Sequence, residues 1–215
     1  MLGGMSRPVL YDYWRSSASY RVRIALHLKG IAFDRVPIDL AAGGQKSDDY
    51  RARNPQGFVP MLETEGRRIV QSLAIIDYLD AAYPEPALLP ADPGDRAHVL
   101  SMAYVVACDI HPLNNSGTLA YLKNRLGHDQ EAADEWYAHW VREGFETIEA
   151  LIDPGPYAFG SRISLADVYL VPQVFNARRF NVPLDAYPKI AAVDAACAAL
   201  KAFQDAAPAN QPDAA

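Results

Sequence analysis

The spacing of hydrophobic residues changes along the chain, and the first part, up to Tyr83, alternates short apolar runs with helical periodicity. The apolar run over 9–13 predicts a strand, and the following spacing predicts a helix over 19–29 that ends at Gly30. A second strand is predicted over 32–38. Strands and helices in this order are typical of α/β structure with some parallel pairing.

A hairpin and a further helix are predicted to complete this first part. The hairpin strands are 61–63 and 68–70, with Gly66 in the turn between them. Ser72 is expected to N-cap the helix that follows over 73–82, because a serine hydroxyl can accept a hydrogen bond from a first-turn amide.

A proline-rich stretch separates the first part from the second. Residues 84–93 contain four prolines and little periodicity, a composition that resists helix and strand, so we place the domain boundary there. Beyond it the strand-like runs end, and long amphipathic helical patterns follow over 95–126, 129–152, 165–180 and 190–206. The sequence therefore predicts an α/β domain over 5–84 and an all-α domain over 94–215.

Three local features modify the helical pattern. Pro112 and Pro172 lie inside predicted helices, and each is expected to kink or restart its helix. Ser164 and Asp167 are expected to form a structural capping box at a helix start. The tail from Ala207 is rich in alanine and proline, so we expect it to be loosely held.

Charge and composition narrow the classes of function. The 215-residue chain has a formal net charge of −6, which argues against general binding to nucleic acid or to a membrane surface. No run of roughly eighteen apolar residues occurs. The start, with either Met1 or Met5 as the first residue, lacks the pattern of a signal peptide. We therefore expect a cytoplasmic protein.

The two cysteines argue against a metal site or a disulfide framework. Cys108 and Cys197 are far apart and have no CxxC spacing, so neither a zinc site nor a disulfide is predicted. We expect both to be reduced residues of the core.

Hydroxyl groups in the segment 15–26 lie where the first strand gives way to a helix. Free backbone amides and the positive end of the helix dipole meet at such a junction, so a thiolate or carboxylate placed there would be stabilised. The simpler interpretation is that Ser16, Ser17 or Ser19 only caps the helix.

Two further segments suggest a ligand with separated charges. Pro60 precedes a short strand and favours a tight turn, with a cis peptide as one option, that presents the backbone of Val59 outward. Gln71 and Ser72 open the next helix and offer a second set of unpaired amides. Glutathione suits two such sites, because it has a γ-glutamyl carboxylate at one end and a thiol in its middle.

These residues resemble the zeta class of glutathione transferases. The segment 15–26 is similar to the class signature of Ser-Ser-Cys, a variable pair and Arg-Val-Arg-Ile-Ala-Leu. Ala18 stands in the cysteine position, as it does in many bacterial members. The likeness covers nearly the whole chain and continues in order through the segments 54–62, 71–79, 108–115, 165–174 and 202–213. Several long blocks in the right order are far more specific than one motif.

The resemblance implies the glutathione transferase fold, with a thioredoxin-like amino-terminal domain for glutathione, a helical domain for the second substrate, and a homodimer. The implied activity is the glutathione-dependent cis-trans isomerisation of maleylacetoacetate, with glutathione regenerated as a cofactor. By matching position, Ser16 and Ser17 would be the catalytic residues that contact the sulfur. The residues implied to surround the rest of the tripeptide are Gln45, Val59, Gln71 and Ser72, with His111, Asn115, Ser116 and Gly117 at the edge of the site.

Two arginines are implied for the carboxylates of the substrate. Arg179 best matches the position at which the family binds a substrate carboxylate, and Arg15, beside the sulfur site, is a second candidate. Two guanidinium groups suit a dicarboxylate, since each can bind a carboxylate through two parallel hydrogen bonds. Alternatively, Arg178 and Arg179 are a solvated pair favoured by the helix dipole, and His111 is a structural histidine.

One departure from the family leaves the substrate open. Relatives often have an arginine just after the pair Asn114-Asn115, where this chain has Ser116 and Gly117. A maleylpyruvate isomerase is therefore an alternative, as is a transferase with conjugating or dehalogenating activity. A noncatalytic interaction module is the alternative from another class, although such a module need not retain the paired serines and the Gln71-Ser72 helix start together.

Overall fold

The computed structural model describes residues 7–214. They form two compact units, of which one comprises the residues up to Pro86 together with those from Leu200 onward, and the other is Ala87–Ala199. The predicted domains, 5–84 and 94–215, differ from these units in where they place the carboxyl-terminal segment. The alternative starts Met1 and Met5 lie outside the described residues.

The first unit is built on one four-stranded sheet with the strand order β2-β1-β3-β4. The strands are β1 (Val9–Asp12), β2 (Asp34–Pro37), β3 (Met61–Thr64) and β4 (Arg67–Val70). β1 pairs in parallel with β2 and antiparallel with β3, and β3 pairs antiparallel with β4. The helices of this part are α1 (Ser17–Leu28), α2 (Asp48–Arg51) and α3 (Ser72–Ala82).

Local sequence explains where these elements begin and end. Ser16 caps α1, because its side chain accepts a hydrogen bond from the amide of Ser19. Gly30 follows the end of α1 with a φ of 63°, a left-handed conformation that glycine adopts without steric cost. Glu65 and Gly66, with φ of 50° and 73°, form the two-residue turn between β3 and β4. The predicted strands, helices and hairpin of the α/β part are thus confirmed within a few residues.

The start of α3 differs from the prediction. Gln71, not Ser72, occupies the N-cap position, with a φ of 72°, and its side chain makes no capping hydrogen bond. Ser72 is the first helical residue. The amides of the first turn of α3 are therefore not satisfied by a cap side chain, in contrast to those of α1.

The second unit is helical. Its helices are α4 (Pro93–Tyr104), α5 (His111–Asn114), α6 (Ser116–Asn124), α7 (Gln130–Leu151), α8 (Leu165–Arg179) and α9 (Pro188–Ala198), with a π-helical turn over Val105–Ile110 between α4 and α5. The expected combination of an α/β part and an all-α part is confirmed. Buried residues such as Val106, Val141, Phe145 and Tyr169 contribute to the core of this unit.

Two prolines and a capping box lie within or at the ends of the helices of this unit. Pro112 lies in the first turn of α5, and the chain breaks instead at Asn115, whose ψ is 161°. Pro172 lies inside α8 without ending it. Ser164 and Asp167 form the predicted capping box, in which each side chain accepts a hydrogen bond from a backbone amide of the other end.

The carboxyl-terminal segment, residues 200–214, packs with the first unit. It contains α10 (Lys201–Ala206), which contacts α1, and a short 3-10 turn over Pro208–Asn210. The side chain of Gln211 donates hydrogen bonds to the carbonyl oxygens of Asp205 and Ala207 at 2.9 and 2.8 Å. The expectation of a loose tail from Ala207 is therefore wrong, because specific polar contacts hold it in place.

Two kinds of structural feature are absent from residues 7–214. No helix in this range is long and apolar enough to cross a membrane. The same range contains no group of three or more histidine, cysteine, aspartate or glutamate side chains arranged to hold a metal ion. Cys108 is exposed, contrary to the expectation of a core position, whereas Cys197 is buried as expected.

Candidate active site

Ser16 lies at the junction between β1 and α1, as the sequence predicts. Its backbone amide donates to the carbonyl oxygen of Tyr13 at 3.0 Å, and its hydroxyl oxygen accepts from the amide of Ser19 at 3.3 Å. The side chain is half-buried. Because the oxygen accepts this bond, the hydroxyl hydrogen can be donated to an anion at the positive end of α1.

The neighbours of Ser16 differ from it in exposure. Ser17 is the first residue of α1 and only 4 % exposed, so its hydroxyl is less accessible than that of Ser16. Arg15 is exposed, and its guanidinium carbon lies 5.4 Å from the ring centroid of Trp14. Stacking of this kind holds a guanidinium in place while leaving its hydrogen-bond donors accessible.

The turn at Val59 has the conformation that the sequence suggested as one option. The peptide bond between Val59 and Pro60 is cis. The carbonyl oxygen of Phe58 accepts from the hydroxyl of Tyr50 at 2.6 Å and from the amide of Asn54 at 2.7 Å. Burial raises the pKa of Tyr50 to about 12, so this phenol keeps the proton that it donates. The backbone of Val59 is therefore presented by a firmly held turn.

Gln45 lies in a 3-10 turn, Gly44–Lys46, close to this loop. A Cβ atom on Gly57 would come within 2.9 Å of the carbonyl oxygen of Gln45, and Gly57 has a φ of 67°. Only glycine satisfies both conditions without strain, so Gly57 allows the two loops to approach. The side-chain oxygen of Gln45 is buried and accepts no hydrogen bond from the described residues.

The start of α3 is where the sequence predicts a second anion site, and that role stays a prediction. The amide of the Gln71 side chain donates to the side chain of Gln56 at 2.7 Å. The hydroxyl of Ser72 accepts from the guanidinium of Arg21, on α1, at 3.5 Å. This contact brings the beginning of α3 next to α1, and the first-turn amides of α3 are free of a capping side chain.

Sequence reasoning missed a buried ion network next to the 13–16 loop, which connects β1 to α1 and contains Ser16. Asp12, at the end of β1, is fully buried and accepts from Arg23 at 2.6 Å and from Arg35 at 2.7 Å. Arg35 also pairs with Asp213 at 2.9 Å. Burial lowers the pKa of Arg23, and Asp12 opposes that shift. An arginine at an apolar helix position is a signal for such a partner, but the sequence did not identify the partner.

The candidate residues of the second unit lie at the ends of short helices. His111 is the first residue of α5 and half-buried. Asn115 caps α6 by accepting from the amide of Thr118 at 2.9 Å, and its side-chain amide donates to the carbonyl oxygen of Pro112 at 2.8 Å. Ser116 and Gly117 form the exposed first turn of α6. The structural role of Asn115 is therefore established, and a ligand role for these residues stays a prediction.

The arginine pair at the end of α8 is asymmetric. Arg178 pairs with Asp194 at 2.6 Å. Arg179 is exposed, donates to the side chain of Asn176 at 3.1 Å, and has its guanidinium carbon 5.5 Å from the ring centroid of Phe180. Both arginines are exposed, and Arg178 is in addition held by the ion pair with Asp194. A carboxylate-binding role for Arg179 stays a prediction.

Comparison with known proteins gives the family. A family model described as the glutathione S-transferase N-terminal domain matches residues 10–87, and one described as the glutathione S-transferase C-terminal domain matches residues 130–196. The chain is 50 % identical over 207 residues to the maleylacetoacetate isomerase of Pseudomonas aeruginosa, covering 95 % of this chain and 97 % of that protein.

Solved structures agree with the sequence matches. A holo structure of a maleylpyruvate isomerase, described as a bacterial zeta-class glutathione S-transferase, has a TM-score of 0.94 and 49 % identity, covering 96 % of this chain and 100 % of that one. The maleylacetoacetate isomerase of Anaeromyxobacter dehalogenans, with glutathione bound in its active site, has a TM-score of 0.87 and 42 % identity, covering 97 % and 98 %. The chain therefore belongs to the glutathione S-transferase family, in the zeta class of maleylacetoacetate and maleylpyruvate isomerases.

Proposed function

We propose that the protein isomerises maleylacetoacetate to fumarylacetoacetate with glutathione as cofactor. The observation that supports this most directly is the hydroxyl of Ser16, which accepts from the Ser19 amide and so has its hydrogen available at the positive end of α1. That arrangement stabilises a thiolate. It occurs in a chain whose relatives include isomerases with glutathione bound.

The residues of the first unit fit glutathione at more than one point. The first turn of α3, where Gln71 and Ser72 lie, suits the γ-glutamyl carboxylate, because the positive end of a helix dipole favours an anion. The turn held by Tyr50 and Asn54 offers the backbone of Val59 to the peptide. Gln45 has a side-chain oxygen that accepts no hydrogen bond from the described residues and can pair with a ligand amide.

Each residue near the sulfur has a distinct role in this proposal. When bound, glutathione would supply a thiolate nucleophile for reversible addition to the conjugated cis double bond, with the same S–C bond formed and broken, so that glutathione is returned unchanged. Ser16 favours the thiolate over the thiol by donating its hydroxyl hydrogen, and the dipole of α1 adds to this field. Ser17, nearly buried, is the second hydroxyl assigned to contact the sulfur.

Two arginines are assigned to the acid substrate. Arg15 is exposed one residue before Ser16, and Arg179 is exposed at the end of α8. A guanidinium binds a carboxylate through two parallel hydrogen bonds and also stabilises negative charge that develops on a nearby oxygen. His111 and Asn115 are assigned to the edge of the glutathione site.

Maleylpyruvate is the second candidate substrate, since two solved relatives are named for it and Ser116-Gly117 lacks the arginine common at this point. A transferase that conjugates or dehalogenates would use the same thiolate but release a glutathione adduct. Product analysis separates these reactions, because an isomerase returns every glutathione molecule unchanged.

The experiment is an assay with maleylacetoacetate and with maleylpyruvate, each with and without glutathione. We expect trans product at catalytic amounts of glutathione and none after its exhaustive removal, because Ala18 stands where the family commonly has cysteine. Full turnover without glutathione, or stoichiometric formation of an adduct, would contradict the proposal.

We also propose that the protein acts as a cytoplasmic homodimer, as the family resemblance implies. Sedimentation of the purified chain tests the dimer. A mass that stays at 23.6 kDa over the working range of concentration would contradict it.

A further inference from the structure

The guanidinium of Arg23 connects three separate parts of the first unit. One terminal nitrogen donates to Asp12 at 2.6 Å, and the other donates to the carbonyl oxygen of Trp14 at 2.9 Å. Its Nε donates to the carbonyl oxygen of Ala206, at the end of α10, at 2.9 Å. The side chain is fully buried. Each of the three guanidinium nitrogens therefore donates a hydrogen bond.

The loop held by this guanidinium is the one that presents Ser16. Arg23 reaches the carbonyl oxygen of Tyr13 at 3.5 Å as well as that of Trp14, and the Tyr13 carbonyl accepts the amide of Ser16 at 3.0 Å. Fixing these carbonyl groups fixes the direction from which the chain enters α1. It therefore fixes the position of the Ser16 hydroxyl.

The carboxyl-terminal segment holds the carbonyl group of Ala206 that accepts the hydrogen bond from Arg23. Gln211 donates to the carbonyl oxygens of Asp205 and Ala207, on either side of Ala206, at 2.9 and 2.8 Å. The hydroxyl of Tyr20 donates to the carbonyl oxygen of Phe203 at 3.4 Å. The end of α10 is thus held where its Ala206 carbonyl can receive Arg23.

Arg35 provides a natural comparison within the same network. It pairs with Asp12 at 2.7 Å and with Asp213 at 2.9 Å, as Arg23 pairs with Asp12. None of the hydrogen bonds found for Arg35 goes to the 13–16 loop or to Ala206. The two arginines share a carboxylate, and only Arg23 spans the loop and the carboxyl-terminal segment.

We infer that Arg23 is a positioning residue for Ser16 and that the carboxyl-terminal segment supports the sulfur site through it. The inference rests on the proposed role of Ser16 in stabilising the thiolate. Lysine at position 23 keeps the charge for Asp12 but has no planar fork, so it cannot hold the Trp14 and Ala206 carbonyl groups at the same time. The Ser16 loop then moves more freely.

The first test compares Arg23→Lys with Arg35→Lys. In the glutathione-free protein we expect the Ser16 amide to exchange its hydrogen about tenfold faster in Arg23→Lys, as for the loss of one hydrogen bond, and at the parental rate in Arg35→Lys. With glutathione bound, ultraviolet titration should show the thiol pKa raised in Arg23→Lys alone. The kcat should fall with little change in KM for the acid.

Equal effects of the two variants on exchange at Ser16 would overturn the inference, since they would indicate general loss of stability. The exchange measurement needs no substrate, so it stands even where the isomerase assay of the parent fails. A different outcome is faster exchange at Ser16 with an unchanged pKa of the glutathione thiol. It would show that Arg23 holds the 13–16 loop but does not affect the thiolate through Ser16, and it would overturn the catalytic part of the inference.

A milder variant covers the case in which Arg23→Lys does not fold. Gln211→Ala loosens the end of α10 without changing the 13–16 loop. We expect the Ser16 amide to exchange about threefold faster than in the parent, because the hydrogen bond from Arg23 to Ala206 is weakened but not lost. Where Arg23→Lys does fold, a double-mutant cycle should show this effect disappear in the Arg23→Lys background, because both changes act through one path. Unchanged exchange in Gln211→Ala would remove the carboxyl-terminal segment from the proposal.

Discussion

Ser16 and Ser17 are neighbours with the same side chain, yet their surroundings give them different chemistry. The Ser16 side chain is half-buried and accepts from the Ser19 amide, whereas Ser17 is 4 % exposed within the first turn of α1. Ala18, at the position where the family often has cysteine, is 8 % exposed. The accessible donor at the helix start is therefore the Ser16 hydroxyl.

Replacing Ser16 with alanine tests this assignment. Ser16→Ala removes the donor to the sulfur, so we expect the pKa of bound glutathione to rise and turnover to fall roughly tenfold or more, from the loss of one charge-assisted hydrogen bond of about 1.5 kcal/mol. The measurements are ultraviolet titration of the bound thiolate and steady-state rates.

The matched control is Ala18→Cys, which restores the commoner family residue. We expect turnover within a few-fold of the parent, because the side chain at this position is nearly buried. If Ser16→Ala titrates and turns over like the parent, Ser17 becomes the residue to test. A large gain in Ala18→Cys would show that activation depends on the missing cysteine.

Arg179 and its neighbour form a second matched pair. Arg179→Ala should raise KM for the dicarboxylate about ten- to a hundredfold, since a charge-assisted contact contributes about 1.5 to 3 kcal/mol. KM for glutathione should change far less. Arg178→Ala breaks the ion pair with Asp194 and should reduce stability without changing KM for the acid. If Arg179→Ala has unchanged kinetics toward the acid, Arg179 does not bind the substrate and is a solvated surface residue.

At the scale of secondary-structure elements, hydrophobic periodicity predicts that a strand or helix exists better than it predicts where that element begins and ends. The pattern predicts the strands and the main helices, because one face of each is buried. It does not predict that Gln71, the residue before α3, has a left-handed φ, nor that a π-helical turn precedes α5. Both depend on contacts with other elements, which leave no local period in the sequence.

The π-helical turn, Val105–Ile110, shows why such details depend on packing. Glycine at position 144 of α7 leaves space into which the side chains of Ile110 and Val105 fit. A Cβ atom there would overlap with Ile110. The turn and α7 therefore approach at a point where any other residue would separate them.

Gly144→Ala tests this contact. Alanine normally favours a helix interior over glycine by about 1 kcal/mol. Here we expect the opposite sign, a loss of about 1 to 3 kcal/mol of unfolding free energy from overpacking, measured by urea denaturation. Gly94→Ala, at the start of α4, is the control and should be close to neutral. A more stable Gly144→Ala protein would show that the Ile110 side chain rearranges at little cost.

At the scale of the whole molecule, the placement of the carboxyl-terminal segment was not predictable. Its contacts with α1 join residues 183 positions apart, as in the bond from Arg23 to Ala206. The composition of the tail after Ala207 predicts weak local structure, but the hydrogen bonds from Gln211 to the carbonyl oxygens of Asp205 and Ala207 and the ion pair of Arg35 with Asp213 hold it in place. The candidate residues of the site were predictable since their segments resemble a family, whereas the supporting ion network was not.

The pH dependence of stability gives a test of how α10 packs on α1. His27 lies on α1, half-buried, with its ring edge against Phe33 at a centroid distance of 5.5 Å. Burial lowers its pKa below the usual 6.5, and Arg23 and Lys201 act in the same direction while Asp205 opposes them. The folded state therefore binds this proton less readily than the unfolded state.

The sign of the effect follows from this difference. The contribution of neutral His27 is fully present above about pH 6.5 and is lost as the pH falls through the unfolded-state value toward the folded-state value. We expect the free energy of unfolding, from urea titrations at several pH values, to decrease on acidification from pH 7 to 5, and to decrease less in His27→Gln. A parental slope in His27→Gln would show that α1 and α10 tolerate the charged ring, and that the packing of the carboxyl-terminal segment does not depend on a neutral His27.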